Sequence, residues 1–181
     1  MINNLVSDAW IPVLRQKGLR ENIAPWQLTE TNNPVISLDS PRPDFNGALM
    51  QFLIGLLQTT ATPDNHDRWL DWLEEPPSPE VLKHHFSKYA NAFELNAKAG
   101  SFMQDFESLG DSGFNNIADL LIESPGGNTV KENKDHFIKR GRIEAACSSC
   151  AATALFTLQT NAPSGGQGHR TSLRGGGPLT T

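Results

Sequence analysis

After Pro41 and Pro43, apolar side chains recur at Phe45, Ala48, Leu49, Phe52, Leu53, Leu56 and Leu57. That spacing places all seven on one face of a helix and would scatter them over both faces of a strand. Pro43 suits the first turn, where its missing N–H has no intrahelical role. Two further helices are expected downstream. One runs from Asp67 to Glu74 and carries Trp69, Trp72 and Leu73; the other opens at Ser78-Pro79-Glu80 and carries Val81, Leu82, His85, Phe86, Tyr89 and Phe93. The Pro76-Pro77 step separates them. Aromatic residues at helical spacing are what helix packing requires, so these stripes are assigned to the core and not to a cofactor pocket.

Before this helical part, short apolar runs alternate with turn residues: Leu5-Val6, Trp10 to Leu14, and Leu19 to Ile23 after Lys17-Gly18. They read as a small β-meander, with the Pro12 strand on an edge or bent, because proline cannot donate to a ladder. Residues 100–115 read as a loop, 116–122 as a short helix, and 128–142 as a long mobile basic loop. Helical spacing resumes from Ala145 to Leu158, with Ala151, Ala154, Leu155 and Leu158 on one face. The fold class is α+β: a mixed irregular domain with the meander, several packed helices and long loops.

The formal net charge of −5 argues against a polyanionic partner until it is split along the chain. Residues 1–130 hold 8 basic and 17 acidic side chains, whereas residues 131–181 hold 7 and 3. A +4 tail on a −9 body is compatible with one face meeting nucleic acid. No apolar run approaches the roughly 20 residues that span a bilayer, and the start lacks the regions of a signal peptide. The expected location is the cytoplasm, with no membrane partner. Only Cys147 and Cys150 are present, which suits a reducing compartment.

Three constellations could carry chemistry. Cys147 and Cys150, three apart, could turn both sulfurs to one ion, yet a structural zinc takes four ligands, so this is half of a site unless His136, His169 or residues elsewhere join. Two structural thiols and a redox pair remain open beside it. The loop Gly165, Gly166, Gln167, Gly168, His169 and Arg170 has the composition of a backbone cradle, and Arg174 opens a second glycine run, so 164–177 presents two glycine-rich turns. It lacks the Gly-Lys-Ser/Thr ending of a nucleotide-binding loop and follows a helix, which excludes nucleoside triphosphate binding. Flexible connection is the plainer alternative. The third is the basic set Lys131, Lys134, Lys139, Arg140 and Arg142 around Phe137. No catalytic pattern occurs: His85 shares an apolar helix face, and Asp64, Asp67, Asp71, Glu74 and Glu75 look like a solvated one.

The run from Cys147-Ser148-Ser149-Cys150 through Asn161-Ala162-Pro163 to Ser172-Leu173-Arg174-Gly175-Gly176-Gly177-Pro178-Leu179-Thr180-Thr181 resembles the large CasA subunit of type I-E CRISPR Cascade. Asp8-Ala9-Trp10-Ile11-Pro12-Val13 is similar to that family's N-terminal strand motif, and Phe102-Met103-Gln104 to another segment, so the resemblance spans the chain. It implies that residues 1–181 are the N-terminal domain of a longer subunit whose C-terminal helical bundle is absent. It further implies a non-enzymatic role in an RNA-guided antiviral complex. That role is to help read the protospacer-adjacent motif of double-stranded DNA and start unwinding, beside contact with the 5′ handle of the guide RNA. The other Cascade subunits, and a helicase-nuclease recruited by the full complex, are the implied protein partners. The glycine loop approaching the minor groove falls at Ser164 to Gly168, with Gln167 where some relatives have the contacting glycine, so Gly166 or Gly168 takes that role. The family's mobile loop falls on 128–142, with Phe137 within one position of its aromatic. A second cysteine pair completing a zinc site is implied outside this chain, and no cofactor is otherwise required. The alternative is a protein-protein scaffold domain without direct nucleic-acid readout.

Overall fold

A computed structural model describes residues 2–98, 100–104, 106, 110, 113–139 and 141–161. The chain divides into two compact units, Met1–Phe106 and Glu107–Thr181. The class is α+β, as the sequence leads one to expect.

In the first unit, β1 (Ile11–Arg15), β2 (Arg20–Ile23) and β3 (Val35–Leu38) form one antiparallel sheet in the order β2-β1-β3. Lys17 and Gly18, the latter at φ +80°, close the β1–β2 hairpin. Two details depart from the sequence reading. Leu5-Val6 is a buried turn next to an isolated bridge, Asn4 to Glu94, and the third strand is Val35–Leu38. The strand holding Pro12 is central, not an edge. Val13 pairs with Leu38, so Pro12 stands just past the end of the β3 ladder. Its carbonyl accepts from the Asp39 N–H at 2.9 Å, and the absent donor leaves no gap within the ladder.

α1 (Pro43–Thr60) has proline in its first turn and buries Phe45, Ala48, Leu49, Phe52, Leu53 and Leu56. Phe52 anchors an aromatic cluster, edge-on to Trp10 at 5.3 Å, to Phe93 at 6.0 Å and to Phe102 at 6.1 Å. Such edge contacts add to the gain from burial. The indole N–H of Trp10 donates to the Leu5 carbonyl at 2.7 Å. That bond fixes the N-terminal turn against β1. α3 (Pro79–Ser87) buries Leu82 and Phe86 and packs beside a 3-10 turn at Pro25–Thr29, where the Lys83 ammonium lies 4.7 Å from the Trp26 ring centre. His85 hydrogen-bonds the Thr60 carbonyl at 3.2 Å, the packed histidine expected from the sequence.

α2 (His66–Glu74) overturns one expectation. It forms where predicted, capped by the Asn65 side chain, which accepts from the Arg68 N–H at 2.8 Å. Yet it buries no residue: Trp69 is 50% exposed and Leu73 67%. Helical spacing set the apolar stripe, but among the described residues that stripe stays largely exposed.

In the second unit, a 3-10 turn at Ile117–Leu120 replaces the short helix expected at 116–122. α4 (Gly127–Lys131) is a single helical turn. α5 (Ser148–Asn161) packs beside the 3-10 turn and buries Ala152, Thr153, Ala154 and Thr157, a face rotated from the one the leucines suggested. The threonines tolerate burial because their hydroxyls bond back along the helix, Thr153 to the Ser149 carbonyl at 2.9 Å and Thr157 to that of Thr153 at 2.7 Å.

Candidate functional site

The described part of the basic segment begins in α4, which holds Lys131, and continues without regular structure through Lys134, Phe137 and Lys139 to Arg142. The left-handed residue Asn133, at φ 54°, turns the chain out of α4. Phe137 is 95% exposed. A ring held in water gains nothing from folding and is available to stack on a base or fill a partner's pocket. Lys131 and Arg142 are exposed and form no ion pair among the described residues. Lys134 is paired with Glu132, and Lys139 with Asp135 at 3.3 Å. Two of these cations therefore have a carboxylate to give up before meeting a phosphate. Arg140 and the glycine-loop candidates Gly165, Gly166, Gln167, Gly168, His169, Arg170 and Arg174 lie outside the described residues.

Cys147 stands directly before α5, and Cys150 lies in its first turn. The Cys150 N–H donates to the Cys147 sulfur at 3.3 Å. That bond from the Cys150 backbone, with others from the Cys150 and Ser149 groups, holds the exposed Cys147 thiol below its ordinary value. Burial, together with the neighbouring Cys147, pushes the Cys150 thiol up to about 11. No third His, Cys, Asp or Glu joins them among the described residues. The pair thus offers two of the four ligands a structural zinc requires, and does not by itself fit the ion.

Among the described residues the first unit carries several depressions. One, about 1020 Å³, is lined by Leu28 to Asn32, Pro34, Glu74 to Pro76, Ser78 and Pro79. Its Glu30 is engaged by Arg15 at 2.6 Å. Another, about 440 Å³, lies between the end of α1 and the exposed face of α2. Sequence reasoning missed it, because periodicity marks an apolar face without saying whether anything covers it.

Comparison with known proteins extends these observations. A family described as "CRISPR-associated protein Cse1" matches residues 4–180. Among solved structures, the chain is similar to Thermobifida fusca Cse1 (TM-score 0.71, 18% identity, 90% of this chain and 30% of that one). It is also similar to Thermus thermophilus CasA (Cse1) (TM-score 0.68, 20% identity, 90% and 31%). The Acidimicrobium ferrooxidans Cse1 structure gives a TM-score of 0.66 at 21% identity, over 88% and 29%. The chain spans less than a third of the length of these proteins.

Proposed function

The chain belongs to the CRISPR-associated protein Cse1 family, and from that premise we propose that it acts in a Cascade complex as a non-enzymatic module contacting nucleic acid. Its basic segment would meet the 5′ handle of the guide RNA and the DNA beside it. Its glycine-rich loops would approach the protospacer-adjacent motif of the duplex, where small residues permit backbone contact with the minor groove. Other Cascade subunits, and a helicase-nuclease recruited by the full complex, complete the partners. The expected setting is the cytoplasm, and among the described residues no helix is long and apolar enough to cross a membrane.

The observation that carries this reading is the exposed Phe137 in a segment that also holds Lys131 and Arg142, neither in an ion pair among the described residues. An exposed ring in a basic segment can stack on a base while cations of the segment neutralise the backbone. The pairing of Lys134 and Lys139 favours a second reading, a scaffold domain that meets only protein. For Cys147 and Cys150 the proposal is a structural zinc, provided two more ligands come from outside the described residues.

The test is to add the chain to a guide-RNA-loaded complex lacking its large subunit. Co-migration and motif-dependent retention of duplex DNA are expected. A well-folded chain that fails to co-migrate overturns the reading. Bulky replacements of Gly166 and Gly168 should abolish DNA retention while leaving co-migration intact; unchanged retention would leave the scaffold reading in its place.

A further inference from the structure

We infer that the ion pair between Asp135 and Lys139 is a clasp that presents the Phe137 ring to nucleic acid, so that Asp135 is a positioning residue and Lys139 makes no phosphate contact. The inference rests on the nucleic-acid reading of the same segment.

The chain bends at His136 and Phe137. Asp135 stands before the bend and Lys139 after it, and the Lys139 ammonium lies 3.3 Å from the Asp135 carboxylate. Exposure differs sharply within those five residues. The Asp135 side chain is 10% exposed and Ile138 is half-buried, whereas His136 is exposed and the Phe137 ring stands almost wholly in water. Residues 135–139 have no regular secondary structure to hold that shape. Fixing it only at the moment of binding would cost affinity, and an ion pair across the bend removes part of that cost in advance.

The two paired lysines of the segment differ in what they would leave behind. Lys134 pairs with Glu132, and both side chains are more than half exposed. Glu132 returns to water at little cost, so Lys134 is free to turn to a phosphate. Asp135 is different. If Lys139 left it for a phosphate, a mostly buried carboxylate would stand uncompensated, which costs far more than breaking a surface pair. The sign of the effect of Asp135 separates its two conceivable roles. As a negative charge near the contact, its removal would strengthen binding to phosphate; as half of a clasp, its removal weakens binding by releasing the ring. Its burial and its place across the bend from Lys139 select the clasp.

The test compares Asp135→Asn, Lys139→Gln, Phe137→Ala and the double variant Asp135→Asn/Phe137→Ala with the parent chain. Each is titrated, across salt, against the guide-RNA-loaded complex lacking its large subunit. The two clasp variants should each bind about three- to tenfold more weakly, with the slope of log affinity against log salt unchanged. The double variant should be no weaker than Phe137→Ala alone, because Asp135 acts through the ring. Lys139→Gln breaks the pair from its exposed end, so it gives the measurement even where Asp135→Asn lowers the melting temperature. Parent-like binding of both clasp variants, tighter binding of Asp135→Asn, a slope lower by about 1 for Lys139→Gln, or a full additional loss in the Phe137→Ala background would each overturn the inference. A parent chain that does not bind, or Phe137→Ala binding equally well, would instead overturn the nucleic-acid reading itself, and the clasp with it.

Discussion

Arg15 shows how one charged residue can serve a core. It occupies an inward position of β1, its side chain is 5% exposed, and it engages Glu21, Glu30 at 2.6 Å and the Asn33 carbonyl at 3.0 Å. Burial works against the charge, but the two carboxylates overcome it and hold the guanidinium above its ordinary value. Three segments thus converge on one side chain. Arg15→Met should destabilise the chain by about 2–3 kcal/mol, because hydrogen-bonded carboxylates and a carbonyl lose their partner; a denaturant midpoint within error of the parent would remove the hub. At the cysteine pair, the hydrogen bonds that lower Cys147 and the burial that raises Cys150 make Cys147 the more readily ionised thiol. In chelator-treated protein, iodoacetamide should label Cys147 first, as peptide mapping would show. Equal labelling would contradict the hydrogen-bond asymmetry.

Among the elements, α1 and α2 have the same kind of sequence signal and opposite fates. α1 buries its stripe, and Phe52→Ala should cost about 3–5 kcal/mol by leaving a cavity among Trp10, Phe93 and Phe102. α2 buries nothing, so its helicity rests on its cap and on local pairs. Asn65→Ala should remove about 1 kcal/mol of local stability. Faster amide exchange in residues 66–74, with little change in global melting, is the expected record. Loss of global stability would mean that α2 is part of the core after all.

For the whole molecule, the segregation of charge matters more than its sum. The acidic body repels a polyanion, and the basic segment offers Lys131 and Arg142 unpaired among the described residues. If those two meet phosphates in the assembled complex, Lys131→Ala/Arg142→Ala should lower the slope of log affinity against log salt by about 2. Titration of nucleic-acid binding across salt would read it. An unchanged slope would take both residues out of the contact and favour the scaffold reading.

Local chemistry was legible directly. The α1 stripe, the opening of α3 at Ser78, the Lys17-Gly18 hairpin turn and the split of charge depend on spacing and residue type over a few positions, and the chain carries that information in order. The family also was legible, in motifs such as Asp8 to Val13 and the run beginning at Cys147. Partnership was not. Val35–Leu38 becomes a strand only because β1 offers it a ladder, and Pro12 sits centrally because the third strand ends beside it. Thr153 and Thr157 are buried because their hydroxyls close onto their own helix. Trp69 and Leu73 stay half or more exposed because, among the described residues of the first unit, no element covers that face of α2. Each outcome depends on which surfaces meet across long stretches of sequence, and periodicity reports that a face is apolar while only the tertiary structure decides what, if anything, covers it.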